Sequence, residues 1–435
     1  MKLHVNRYGP IDNLTINVTD FLILIGKQSS GKSTISKLIY FFLNIRDEAF
    51  DFTIECLESG RRKDVKNNFI KRINKRFVEF FGPSVHDEQM EIVFSYDDKT
   101  EIKICTNSKD RKFFLTTISD NVIGTIVEII SQNNKKFSES YSRVKLFSSS
   151  KSNPTDIEIE KIQKDISKKL NQVFNFSFSL LFIPAGRSIL STLSDQLQNI
   201  HPHLLDFPMR TFIQKVANTK AFFGKSLEDI VSEKRQFSSQ QIWQNKINKS
   251  ISMIKRIIHG EYIHDESGGR IQLENNKYVK INFTSSGQQE CIWIVLSLFL
   301  IVLEQENVMV FIEEPEAHLF PDGQKDVSDF IVMVRSMIGA RFIITTHSPY
   351  ILSSINNALY AYHLKTSGFN TKNILDEHIS LNFKDMGAYR IDHGKLDDIR
   401  EISLQQIDSA KIDACSHSIN NIYSQLEELE FSDDR

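Results

Sequence analysis

Few cysteines, no excess of one charge and no long apolar run mark this sequence first. Its four cysteines (Cys56, Cys105, Cys291 and Cys415) are scattered with no C-x-x-C pair, which argues against a zinc site and a disulfide framework. Net charge is −2, from 53 basic and 55 acidic residues, so no global field draws the chain to nucleic acid or membrane. Any DNA contact would need a local patch. The longest apolar stretch, Ile292–Leu303, is interrupted by Ser297 and falls short of the roughly 20 residues that span a bilayer. It reads as a buried helix. Met1–Asp20 holds no long apolar run, so no signal peptide is expected, and the expected location is the cytoplasm. No internal repeat is present. The 40% hydrophobic and 25% charged fractions are those of an ordinary soluble protein, long enough for two or three domains or one large head with insertions.

Against this plain background one stretch stands out, Leu22–Thr34. It reads as a short apolar strand, a loop matching G-x-x-x-x-G-K-[ST], and a helix, the context a phosphate-binding loop requires. Gly26 and Gly31 let the backbone curl so that successive N–H groups cradle phosphate oxygens. Lys32 supplies positive charge near the β- and γ-phosphates, and the Ser33 hydroxyl is a Mg²⁺ ligand candidate. The helix directs the positive end of its dipole at the same point. Ile35, Leu38, Ile39 and Phe42 recur at helical spacing, which predicts one buried face. A chance match would not bring strand, loop, Lys-Ser and amphipathic helix together. Gly26, Gln28, Ser29, Ser30, Gly31, Lys32, Ser33 and Thr34 are the candidate residues for binding a nucleoside triphosphate.

Before this loop, residues 2–18 read as two short strands around Gly9-Pro10. After it, 47–170 reads as an α+β arm inserted into the nucleotide-binding lobe. It comprises a basic helix at Arg61–Arg76, strands at Met90–Tyr96, Glu101–Cys105 and Lys112–Thr117, and helices at Asn121–Ser131 and Asp156–Leu170. Between those last two lies a loop at Lys145–Pro154. Phe174, Phe176 and Phe178 alternate with polar residues, and Leu180–Ile183 is a buried strand running into Pro184-Ala185-Gly186-Arg187. Arg187 fits a surface loop as well as a functional role. His201-Pro202-His203 reads as a plain loop, because no carboxylate-rich partner is near. The segment 171–260 is expected to be helical, with Ser226–His259 as a short lever. A hairpin around Asn275-Asn276 is expected to follow, within 261–365.

That hairpin leads to a second group of polar residues. Thr284-Ser285-Ser286-Gly287-Gln288-Gln289-Glu290 precedes the apolar helix, so Ser286 and Gly287 lie at a helix N-terminus suited to phosphate. By itself this is also an ordinary cap. Val308–Ile312 then reads as a strand inside a parallel sheet, ending in Glu313-Glu314-Pro315-Glu316. Carboxylates at the end of a buried strand are costly unless they hold a metal or a polarised water. Glu313 is the candidate Mg²⁺ ligand beside Ser33, and Glu314 the candidate base for an attacking water. A third strand, Arg341–Ile344, ends in Thr345-Thr346-His347, placing His347 to contact the γ-phosphate or that water. The catalytic candidates are Glu314, His347 and Lys32. The remainder, 366–435, ends in a helix expected over Ile399–Leu429, with an acidic tail.

The order GKQSSGKST, SSGQQ, VFIEEPE and TTHS resembles the ATP-binding-cassette type of ATPase head found in SMC proteins, RecF-like repair ATPases and the OLD family. The SSGQQ variant, EEPEAHLFP and FIPAGRS resemble in particular the OLD-type and Septu PtuA-type anti-phage ATPases. The resemblance implies an α/β head with a P-loop in a mixed sheet, and ATP sandwiched between two heads in a homodimer or higher oligomer. It assigns Ser286, Gly287 and Gln289 to the signature, Glu313 and Glu314 to the Walker B pair, Glu316–Leu319 to the D-loop and His347 to the switch. It also implies a separate effector subunit, expected to be a nuclease, because the residues after Ser348 contain no Asp-x-Asp pair. Two other readings stay open. One is a RecF- or SMC-like clamp on duplex DNA through the basic run Arg61–Arg76, whose alternative is a solvated helix face. The other is a head that binds ATP with negligible turnover.

Overall fold

The computed structural model describes residues 1–60, 63–83, 87–107, 114–146, 154–192, 205–235, 241–273, 275, 277–408 and 414–432. The expected loop at Lys145–Pro154 falls mostly outside them, as do Arg61, Arg62, His201, His203 and Asn276.

The first part of the chain builds an antiparallel sheet on a long helix. Strands β1 (Lys2–Tyr8) and β2 (Ile11–Asn17) form a hairpin, and β3 (Phe21–Gly26) leads through the phosphate loop into α1 (Lys32–Ser59). Helix α2 (Val65–Phe81) returns beside α1, followed by β4 (Glu91–Ser95), β5 (Glu101–Thr106) and β6 (Phe114–Ile118). Because β4 pairs with β1, these strands continue the N-terminal hairpin in the order β2-β1-β4-β5-β6. Helices α3 (Asp120–Leu146) and α4 (Pro154–Val173) then pack on α1.

The remainder builds the central sheet and its outer helices. β7 (Ser179–Ile183) is followed by α5 (Ser188–Thr192), α6 (Phe207–Thr219), α7 (Leu227–Arg235) and α8 (Gln241–Ile258). A small sheet of β8 (Glu261–Asp265), β9 (Gly268–Gln272) and β10 (Tyr278–Lys280) precedes α9 (Ser286–Glu304). Then β11 (Val308–Glu313), α10 (Pro321–Ile338), β12 (Arg341–Thr346) and α11 (Pro349–Thr366) alternate as an α/β unit should. β13 (Met386–Asp392) and β14 (Lys395–Asp398) complete a six-stranded sheet in the order β14-β13-β3-β12-β11-β7. All neighbours in it are parallel except β13 and β14.

Helix α1 joins the two layers. Successive helical residues point about 100° apart, so Tyr40, Phe41 and Phe42 face three directions. Tyr40 packs on Phe182 and Phe311 of the central sheet, with ring centroids 5.0 and 5.2 Å away. Phe41 meets Phe77 and Phe80 of α2, and Phe42 stacks on Phe94 of β4 at 5.2 Å. The sequence pattern predicts one buried face; the structure buries more than one face of α1 over Ile35–Leu43, because a second sheet covers the face away from the first, while Asp51, Glu55 and Glu58 further along stay exposed. Alternation along the central strands divides the core. Leu22, Leu24, Met309 and Phe311 join the α1 side, and Phe21, Ile23, Val310 and Ile312 face the helices on the other.

Several boundaries differ from the sequence reading. The 46/47 boundary of the expected arm lies within α1, and its three strands extend the N-terminal sheet, β4 pairing with β1 because Ile92 and Phe94 complete the core that Leu3 and Val5 begin. The lever over Ser226–His259 packs into the head, since Ile247, Ile251, Ile254 and Ile258 of α8 bury one apolar face. Within the helix expected over Ile399–Leu429, Arg400–Glu401 and Gln406–Ile407 pair as strands, and the helix runs from Ala414 to Ser432. The apolar helix Ser286–Glu304 is long enough to cross a membrane, but most of it is buried in the core.

Replacing Phe42 with Ala should destabilise the fold by about 3–5 kcal/mol, since a fully buried ring between α1 and β4 would leave a cavity. Urea titration followed by far-UV circular dichroism should show the lower midpoint.

Candidate active site at the phosphate loop

The loop between β3 and α1 is shaped by two glycines. A Cβ on Gly26 would lie 2.2 Å from the Ile391 carbonyl oxygen of β13, too close for any side chain. Gly31 has φ +106°, a conformation open mainly to glycine, and packs against Pro10 and Ile11 in the turn between β1 and β2. Ser29 also lies in the left-handed region, at φ +61°. Gln28 and Ser29 are exposed, Ser30 is buried, and Thr34 is half-buried in the first turn of α1. Lys32 is 4% exposed, and its ammonium donates to the Gly26 and Lys27 carbonyls at 2.9 and 2.8 Å. Burial lowers its affinity for the proton, while Glu314 and Glu316 oppose that shift.

Parallel pairing brings the end of β11 to this loop across β12. Glu313 is buried; one oxygen accepts from the Ala185 N–H at 3.3 Å, and Oε1 has no hydrogen-bond partner. The Ser33 hydroxyl lies near enough to the Glu313 carboxylate to favour its ionised form. Burial raises the Glu313 proton affinity, opposed first by Lys37. Lys37 donates to Asp206 at 2.6 Å. Burial disfavours its charge, but Glu313 and Asp206 together hold its affinity above the ordinary value. A hydroxyl beside a buried carboxylate with one unused oxygen suits Mg²⁺, which commonly takes one or two protein oxygens and completes its shell with phosphate and water. Ser33 and Glu313 therefore fit as metal ligands.

Glu314 follows with φ +46°, a strained conformation for a residue with a side chain. Its N–H donates to the Thr345 carbonyl at 2.8 Å, and its carboxylate meets His347 Nε2 at 3.2 Å. Glu314 and His347 are thus paired at the ends of adjacent strands, both partly open to solvent. Glu316 holds the second strand end in place. Its Oε1 accepts from the Thr346 hydroxyl at 2.8 Å and the His347 N–H at 2.6 Å, while Oε2 is buried and unpartnered.

The segment expected to be the signature starts α9. Ser285 is the N-cap and forms a capping box with Gln288, so capping falls one residue earlier than Ser286. Ser286 is exposed in the first turn, and no hydrogen bond among the described residues ties it to the phosphate loop of its own chain. Gly287 is buried and a Cβ there would lie 2.7 Å from the His318 carbonyl oxygen, so α9 begins in close contact with the loop after β11. Gln289 donates to the Asn282 and Thr284 carbonyls at 3.3 and 3.1 Å. Phosphate loop, Glu313, Glu314 and His347 converge, whereas Ser286 faces outward.

Residues 1–352 match the model of the family AAA_15, described as an AAA ATPase domain. The chain belongs to that family. It is an ATPase, the phosphate-loop strand lying beside the strand that precedes His347 and next but one to the strand that ends in Glu313. Similar solved structures include an SMC head bound to the C-terminal winged-helix domain of ScpA (12% identity, 91% of this chain and 95% of that chain covered, TM-score 0.37). An SMC head domain from Thermotoga maritima gives 11% identity, coverage of 92% and 98%, and TM-score 0.36. A nucleotide-free ATP-binding cassette from an ABC transporter gives 12%, 91% and 90%, and 0.28. None of the curated proteins matches this chain in sequence.

In this AAA_15 head two residues have structural roles that the motif pattern does not state. Glu316 is legible only as part of a motif, although a third carboxylate two residues after Glu314 signals a buried partner. Arg187, open to a surface-loop reading, is instead fully buried beneath Glu313 and Glu314.

The burial of Glu316 has a pH consequence. Its proton affinity is raised above the ordinary value of 4.5, chiefly by burial, so its ionised form costs stability. That stability is fully present below pH 4.5 and is lost as pH rises through the elevated folded-state value. Glu316→Gln should therefore raise the melting temperature at pH 8, with the gain shrinking toward pH 4.5. A lower melting temperature than wild type at pH 8 would contradict this.

Proposed function

We propose that two copies of this chain close around ATP, the Ser286–Gly287 turn of each completing the site built on the other's phosphate loop. The observation that carries this reading is the division of the site. The phosphate loop, the Ser33–Glu313 pair and the Glu314–His347 pair converge in one chain, while Ser286 stands exposed at the start of a helix. In this reading the loop N–H groups and Lys32 hold the phosphates. Ser33 and Glu313 hold Mg²⁺, which neutralises charge on the transferred phosphoryl group. Glu314 orients the attacking water and takes its proton, and His347, hydrogen-bonded to Glu314, steadies that carboxylate. A cavity of about 700 Å³ beside Ser33 and Thr34, bounded by Phe81, Pro83 and Arg210, has room for the nucleoside.

We further propose that ATP turnover sets the state of a separate effector protein in an anti-phage system. The SSGQQ, EEPEAHLFP and FIPAGRS variants support that choice. A specific observation keeps a second reading, a DNA clamp of SMC or RecF type. Arg72 and Arg76 are drawn inward to Glu48, with contacts of 2.7 Å each from their Nε atoms, but Lys63, Lys66, Lys71 and Lys75 of the same stretch are exposed. Duplex DNA binding that weakens steeply with salt would favour the clamp.

Lys32→Ala should abolish ATP binding measured by isothermal titration calorimetry. Glu314→Gln should bind ATP as wild type does, lower kcat by roughly 10²- to 10⁴-fold, and sediment as a dimer with ATP and Mg²⁺. Normal turnover in Glu314→Gln would overturn the assignment of the base.

A further inference from the structure

Arg187 has no solvent exposure, and its donors are directed almost entirely at backbone. Nη1 donates to the Pro184 and Glu313 carbonyls at 2.7 and 2.6 Å, Nη2 to the Glu314 carbonyl at 2.9 Å, and Nε to the Glu290 carbonyl at 3.1 Å. Its charge is matched by the Glu290 carboxylate, 3.3 Å from Nε and 2% exposed. Glu290 accepts in return from the Arg187 and Ser188 N–H groups, both at 3.1 Å. A single planar guanidinium thus joins the end of β7, the first turns of α9 and both residues that close β11.

Two features make this more than packing. Glu314 lies in a strained backbone conformation, which persists only when its surroundings over-determine it. Its N–H is fixed by Thr345 and its carbonyl by Arg187 at 2.9 Å together with the Ala317 N–H at 3.1 Å, so the guanidinium is the side chain's share of that restraint. The second feature is Glu290, which stands one helical turn after Ser286. The helix that carries the exposed turn is therefore tied through Arg187 to the peptide that carries the base.

We propose that Arg187 is a positioning residue that makes the placement of Glu314 depend on the placement of α9. When the turn at Ser286–Gly287 is engaged by a second copy, α9 shifts as a unit, and Glu290 and Arg187 carry the shift to the Glu313 and Glu314 carbonyls. Hydrolysis is thereby geared to pairing of the heads. This inference rests on the proposed function in one respect, the engagement of Ser286 by a second copy.

The test uses Glu290→Gln, which keeps shape and removes the charge, with Arg187→Lys and Arg187→Met. Steady-state turnover should show kcat lowered roughly 10- to 100-fold in Glu290→Gln and Arg187→Met, with the KM for ATP within about twofold of wild type. Arg187→Lys, which restores charge but not the planar fork, should recover part of kcat. Equal kcat in all four proteins, or a rise in KM matching the fall in kcat, would overturn the coupling. Amide hydrogen exchange on the full chain gives a readout independent of turnover. On addition of Mg²⁺ and a non-hydrolysable ATP analogue, protection at 285–291 and 313–319 should change together in wild type. In Glu290→Gln the 313–319 segment should respond alone. A joint response in both proteins would overturn the coupling even if wild type hydrolysed no ATP, a result that would instead count against the proposed function.

Discussion

The burial of helix α1 between two sheets is the constraint on which the rest depends. Three consecutive aromatic residues face three different layers, so the helix cannot shift without disturbing both sheets and α2. Its N-terminus is the anchored end of the phosphate loop. The loop is held from the other side as well, since Gly26 lies against the Ile391 carbonyl and Gly31 against the turn at Pro10. A loop fixed at both ends presents its N–H groups without rearrangement, and such preorganisation favours phosphate binding.

Around this fixed loop the acidic residues are poorly satisfied. Unpartnered buried oxygens occur on Glu313 and Glu316, and Ser30 and Thr345 in the same neighbourhood have unpartnered hydroxyls. Buried polar atoms without partners are costly, and their clustering at one place marks a site that a charged ligand completes. The cost is borne by the surrounding structure, in which Arg187 anchors the carbonyls behind Glu313 and Glu314 while Glu316 holds the His347 strand end. The two groups thus draw on different supports. The phosphate loop depends on α1 and β13, and the Glu314 peptide is tied through Arg187 to α9 and the end of β7.

What could be read in advance follows from the range of the interactions. The phosphate loop was legible because its chemistry lies within thirteen consecutive residues, Leu22–Thr34, and the strand carrying Glu313 because six buried residues, Val308–Glu313, form one run. The pairing of β13 with β3 was not, because more than 350 residues separate them and nothing in Met386–Asp392 names its partner. The strands at 91–118 were visible as strands, but their attachment to β1 is a matter of long-range register. Arg187 was underestimated because its partners are mostly carbonyl groups, which every residue carries. Glu290 offered the missed signal, a lone charge at the head of an otherwise uncharged stretch that runs to Leu303. Ser285 and Ser286 are alike in sequence, and only the fold makes the first the cap and leaves the second exposed.

The central claim is that each ATP site is shared between two chains, and mixing two inactive variants tests it most directly. Lys32→Ala disables the phosphate loop and leaves the exposed turn intact, while Ser286→Arg blocks the turn and leaves the loop intact. Each protein alone should hydrolyse ATP at background rate. Mixed in equal amounts, they should recover a substantial fraction of wild-type turnover, because one of the two sites in a mixed dimer takes its loop and its turn from the unaltered halves. Full activity of Ser286→Arg alone, or no recovery on mixing two folded proteins, would contradict the account.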